Sequence, residues 1–93
     1  MQTSEKDKAL KELQIIPGVG KSISLDLYAL GIRKVSDLKG MDPEKMYEKS
    51  NRLAGVRQDR CLLYVFRGAV YYATKKKHDP ELLKWWNWKD GNE

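Results

Sequence analysis

The sequence predicts an all-α fold, a compact bundle of five to six helices. Three observations carry that expectation. Apolar residues recur at spacings of three and four, and no stretch alternates as a half-buried strand would. Asp-Pro-Glu occurs twice, at Asp42 and Asp79, placing a cap residue before a proline that fits a helix's first turn. Gly31, Gly40 and Gly55 stand just where the apolar periodicity stops, as glycines past helix ends do. The 93 residues suffice for one modest core, so residues 1–93 are expected to form a single domain.

Taken in order, Thr3 or Ser4 can cap a first helix running to Gln14, with Ala9, Leu10 and Leu13 on one face. Pro17 and Gly18 break it. A second helix follows from Val19, with Ile23, Leu27 and Leu30 on one face and Gly31 at its end. Ser36 is expected to cap a short helix, Asp37 to Lys39, closed by Gly40. Asp42-Pro43-Glu44 starts a helix to Leu53, and a long helix spans Arg57 to Lys75. Asp79-Pro80-Glu81 opens a last helix through Trp85, Trp86 and Trp88 that ends at Lys89, with Asp90 to Glu93 frayed. Ile16-Pro17-Gly18-Val19 and Leu53-Ala54-Gly55-Val56 superimpose as an internal repeat, in a register that sets Ser24 opposite Cys61, both small.

The formal charge of +5 is uneven. Residues 61–77 carry Arg67, Lys75, Lys76 and Lys77 and no acid, whereas residues 78–93 are acidic on balance. A basic chain suits a polyanionic partner, although a solvated face has the same composition. The single cysteine, Cys61, excludes an intramolecular disulfide and a zinc knuckle, and fits a reducing cytoplasm. Met1 to Lys11 is polar and does not read as a signal peptide. The most apolar run, Cys61 to Ala73, is interrupted by Arg67 and Gly68 and is too short to span a bilayer. A cytoplasmic protein without a membrane partner is expected. There is no metal-spaced cluster, nucleophile elbow or Cys–His pairing, so neither an enzyme nor a catalytic residue is expected.

The residues that carry chemistry lie in IPGVGK, Ile16 to Lys21. Gly18 and Gly20 permit close approach of the backbone. A helix starts just after them, and its first N–H groups lack partners inside it. The dipole adds partial positive charge at the same place. Lys21 and Ser22 supply a cation and a hydroxyl. These features suit a phosphate, and they include no base-reading group. A tight connection between two packed helices, with Ile16 and Val19 tucked between them, would use the same residues, so both readings stay open. A nucleotide P-loop is excluded. Gly20-Lys21-Ser22 supplies its ending, but Ile15 stands where its first glycine belongs and a helix, not a strand, precedes the turn.

Other features have bland readings beside sharper ones. Trp85, Trp86 and Trp88 cannot share one helix face. Two of them pinning the last segment over the core is one reading; a platform for exposed bases and a protein-binding patch are the others. Lys75-Lys76-Lys77 suits a helix C-terminus, and extends a DNA path only if it lies on the side of Lys21. Tyr64, Tyr71 and Tyr72 are expected in or near the core, and Cys61 as a small buried residue. His78 has no ligand partner nearby in sequence.

The stretch IPGVGKSISLDLYALGIRKVSDL, Ile16 to Leu38, resembles the helix-hairpin-helix DNA-binding motif. It has the hydrophobic-Pro-Gly-hydrophobic-Gly turn, small Ser24, and then Leu30-Gly31-Ile32, Val35 and Asp37-Leu38. The chain after Lys11 also resembles a small bacterial family, the pathogenicity locus proteins, some of them called mitomycin resistance proteins. Val65-Phe66-Arg67, Ala69-Val70-Tyr71 and the ending Leu83 to Asp90 carry that likeness.

The resemblance implies DNA contact without sequence preference, duplex or single-stranded, through the amides of Gly18, Val19 and Gly20 with Lys21 beside them; Ser22 joins this candidate site. It implies a paired architecture: a first hairpin over 4–30, a connector over 36–40, and a degenerate second hairpin over 42–76 before the C-terminal helix over 79–89. Arg57 replaces the second hairpin's glycine and would reach a phosphate only by its side chain. A monovalent cation, K+ or Na+, held by the carbonyls of Gln14, Ile16 and Val19 is a further implication; no other cofactor is expected. The alternative is a protein-protein interaction domain that keeps the fold without DNA, its partner seated at Trp85, Trp86 and Trp88.

Overall fold

The computed structural model describes residues 4–88. Expectations at Thr3, at Lys89 and over Asp90 to Glu93 lie outside the described residues. Within them the chain is helical and has no strand. Four α-helices run in order: α1 (Glu5–Leu13), α2 (Lys21–Ala29), α3 (Pro43–Ala54) and α4 (Arg60–Thr74). A 3-10 connector (Val35–Leu38) joins α2 to α3, and two 3-10 turns (Pro80–Leu83 and Trp85–Trp88) follow α4.

Local chemistry explains these starts. Ser4 Oγ accepts the Asp7 N–H at 3.1 Å. Asp42 accepts the Glu44 N–H at 2.9 Å, with Pro43 in the first turn of α3. Asp59 accepts the Cys61 N–H at 2.8 Å and so starts α4 at Arg60 rather than at Arg57. The residues before it are held out of the helix by Gln58. The Gln58 N–H donates to Asn51 Oδ1 at 2.9 Å, its amide donates to Ser50 Oγ at 2.9 Å, and its carbonyl accepts the Tyr47 hydroxyl. Ser36 lies inside the connector instead of capping it; the Asp37 carboxylate accepts the Arg33 and Lys34 N–H groups at 3.0 and 3.2 Å.

The expected C-terminal helix is two short turns broken at Lys84, whose backbone is extended. Asp79 does cap the first turn, accepting the Glu81 N–H at 2.9 Å. One straight helix would spread the three indoles around its surface. The break lets two of them reach the body of the protein. Trp85 packs against the core and Trp88 against Gly68, the Trp88 Nε1–H donating to the Leu82 carbonyl at 2.7 Å.

The core forms around α4, which packs on α3, the connector and both C-terminal turns, while α1 packs on α2. Leu13, Ile16, Leu27, Leu38, Leu63 and Phe66 are its largest fully buried apolar side chains. Each such burial stabilises by about 1.5–3 kcal/mol. Tyr64, Tyr71 and Tyr72 are half-buried at its edge. His78 stacks on Tyr72, ring centroids 4.6 Å apart, and its Nε2–H donates to the Tyr72 carbonyl at 2.8 Å.

The internal repeat does not survive as environment. Ile16 and Val19 are 1% and 5% exposed, but their counterparts Leu53 and Val56 are 59% and 64% exposed. Ser24 is buried while Cys61 is exposed, against the expectation of a buried thiol. The reason is a loop of different length. Counted from the N-caps Gly20 and Asp59, buried Ser24 pairs with buried Leu63, and Cys61 falls in the outward first turn of α4.

Candidate functional site

The turn between α1 and α2 is built by its own sequence. The Val19 N–H donates to the Ile16 carbonyl at 3.0 Å, and Gly18 between them has φ +86°. Proline then glycine in those two central positions make a type II turn. Ile16 and Val19 are buried beneath it, so the turn cannot splay. Ser24 fastens it from the α2 side. Its hydroxyl donates to the Lys21 carbonyl at 2.7 Å and accepts the Gln14 side-chain amide at 3.2 Å.

Beyond the turn, Gly20 is the extended N-cap of α2 and offers no side-chain acceptor to the helix. The Ser24 N–H bonds back to the Gly20 carbonyl at 2.9 Å. The N–H groups of Lys21, Ser22 and Ile23 precede that first intrahelical bond. No acid stands in the first turn, unlike α1 and α3, where Glu5, Asp7 and Glu44 stand. Gly18, Gly20, Lys21 and Ser22 are all exposed. The arrangement brings them together at one helix start, whose dipole favours an anion. The Val19 amide, which belongs to the same predicted set, is committed to Ile16.

Arg57 is exposed in the loop between α3 and α4. It lines a cleft of about 640 Å³ with Arg52, Arg60 and the acids Glu44 and Glu48. Its neighbours Gln58 and Asp59 border a second groove, of about 350 Å³, together with Gly18 and Ile23. The two inter-helix turns therefore lie on one side of the molecule. Lys75, Lys76 and Lys77 do not join them. They follow the far end of α4, about 15–20 Å along the helix from the residues that border the groove with Gly18.

The shared groove holds features that the sequence did not announce. Trp85 lines it and lies on the turn: a Cβ built on Gly18 would sit 3.3 Å from Trp85 Cδ1. Asp26 lines it too, and burial pushes its carboxyl above the ordinary carboxylate range. The spacing of Ile23 and Asp26, three apart on α2, was the available signal, since it puts both on one face. Asp59 shifts the opposite way, held below the ordinary range by hydrogen bonds from Cys61.

The resemblance implies a monovalent cation at the carbonyls of Gln14, Ile16 and Val19. The Ile16 carbonyl accepts the Val19 N–H and the Gln14 side chain donates to Ser24.

A small all-helical protein with an exposed, uncapped and cation-flanked helix start is the class that fold and site define. Residues 6–93 match the family described as Pathogenicity locus, and the chain belongs to that family. A relative is mitomycin resistance protein McrB of Streptomyces lavendulae, 30% identical over 77 residues, which span 83% of this chain and 70% of the relative. No solved structure gives a significant match. No helix among the described residues is long and apolar enough to cross a membrane.

Proposed function

We propose that the chain is a nucleic-acid-binding module of the helix-hairpin-helix kind, which holds a DNA phosphate at the start of α2 without reading sequence. The observation that carries this is the helix start itself: Gly20 leaves it uncapped, no acid stands in its first turn, and Lys21 and Ser22 stand exposed beside it. The backbone donors are those of Gly20, Lys21 and Ser22, with Gly18 shaping the turn. Contacts of this type fix position and carry no sequence information. Arg57 adds a side-chain contact from the second turn on the same side. The test is fluorescence anisotropy with random duplex and single-stranded oligonucleotides over a salt series, for the wild type and Lys21→Glu. Binding that weakens with salt and drops in the variant supports the reading. No binding at low salt overturns it.

One observation favours a second reading, a protein-protein interaction domain. Leu53 and Val56 are exposed apolar side chains on either side of Gly55, at the end of α3. Exposed apolar groups close together mark interaction surfaces.

A further inference from the structure

We infer that Trp86 is a base-stacking platform, and that the site takes DNA presenting an unpaired base beside the phosphate held at α2. This inference rests on the phosphate-binding reading above and narrows it to a class of DNA.

Trp86 is 49% exposed. Every other Trp, Tyr and Phe among the described residues is buried or half-buried. Burial of Trp85 and Trp88 explains why those two are there; nothing in the packing of the core requires an indole at position 86. Its position is fixed on both sides. The Trp85 and Trp86 rings meet edge to face, centroids 5.7 Å apart and planes at 88°. Trp85 in turn lies on Gly18. The turn that presents them is clamped by the Asn87 side chain, which donates to the Glu81 carbonyl at 2.6 Å, and by the Lys84–Glu81 ion pair at 2.9 Å.

Gly18 is two residues from Gly20, at most about 7 Å along the chain. The exposed indole and the phosphate site are thus linked through one half-buried indole, Trp85, which lies on Gly18 and meets Trp86 edge to face. A cationic phosphate site next to an exposed aromatic face is the combination that single-stranded nucleic acid engages. Duplex DNA offers the phosphate but keeps its bases stacked on each other. An unpaired base has a free face, and stacking it on an aromatic side chain is worth about 5- to 150-fold in affinity.

The test uses the full chain and anisotropy at low salt, with wild type, Trp86→Ala, Trp86→Phe and Lys21→Glu. The probes are a single-stranded oligonucleotide, the blunt duplex, and the same single strand with abasic sites, which keeps the phosphates and removes the bases. The expected result is that Trp86→Ala loses at least fivefold on the single strand and less than twofold on the duplex, while Trp86→Phe recovers part of the loss. The wild type should lose a similar factor on the abasic strand, and Trp86→Ala should not distinguish abasic from normal strand. Because the ligand varies as well as the protein, a misfolded variant cannot imitate this pattern. Equal loss on single strand and duplex, or no loss, overturns the stacking role, and the phosphate reading then stands or falls on Lys21→Glu. Absence of binding in every arm overturns both.

Discussion

The indole of Trp85 rests on the backbone of Gly18, close enough that a Cβ there would sit 3.3 Å from its Cδ1. This packing joins the C-terminal turns to the turn between α1 and α2. Gly18→Ala meets two penalties. Its φ of +86° disfavours any side chain, and Trp85 must give way by a few tenths of an ångström. The backbone penalty alone is about 1–2 kcal/mol. A drop of roughly 4–8 °C in Tm per kcal/mol is expected for a domain of this size. Thermal unfolding followed by circular dichroism checks it, and a shift in tryptophan emission should accompany it. An unchanged Tm would mean that neither the left-handed backbone at Gly18 nor the Trp85 contact holds the turn in solution.

Lys21→Glu addresses binding without touching the core, because the side chain is exposed at the start of α2. It should leave stability within about 0.5 kcal/mol of wild type, as surface changes usually do. DNA affinity should fall, and the slope of log K against log salt should shrink by about 0.9, the share of a single neutralised phosphate. A variant that binds as the wild type does would remove Lys21 from the interface.

Much of this was legible in sequence because it is written in short-range chemistry. Ser4, Asp42 and Asp79 cap with their own side chains, and Ile16-Pro17-Gly18-Val19 folds within four residues. What failed depended on groups distant in the chain. Nothing local says that Gln58 will be clipped by Ser50 and Asn51, and that clip moved the start of α4 and turned Cys61 outward. Nothing local says that Lys84 will break the last helix so that Trp85 can reach Gly18 and Trp88 can reach Gly68. At the site, the glycine turn and the exposed Lys21 and Ser22 were readable; the Val19 amide, expected among the donors, is taken by Ile16, and Asp26 and Trp85 in the groove were set by packing.

Gln58→Ala tests the clip. The substitution removes the bonds of the side-chain amide to Ser50 Oγ at 2.9 Å and Asn51 Oδ1 at 3.2 Å. Ser50 is buried, so its hydroxyl loses a partner where water is scarce. A loss of about 1–3 kcal/mol is expected, measured by urea unfolding. Hydrogen exchange should show faster opening of the loop between α3 and α4 than of α2. Uniform destabilisation would mean that the loop is not an independent unit.

Asp26→Asn should stabilise the protein at neutral pH. Burial raises the native carboxyl above its ordinary value, so the native state favours the protonated acid more than the unfolded chain does. Relative to the ionised form, that preference contributes stability at low pH, and the contribution is lost as pH rises through the elevated native value. At neutral pH the carboxylate is ionised and partly desolvated, which is a cost that the neutral amide avoids. The difference between the Asp26→Asn variant and wild type should therefore be largest at neutral pH and fade as pH falls below the carboxylate range, where Asp26 is itself neutral. Urea midpoints at neutral and acidic pH give the comparison. Asp26 also borders the groove beside Gly18, so its removal takes a negative charge away from the proposed phosphate site. DNA affinity should rise, most at low salt, where screening is weakest. A variant less stable than wild type at neutral pH would show that the carboxylate is paired in solution, and would place Asp26 among the groups that hold the groove together.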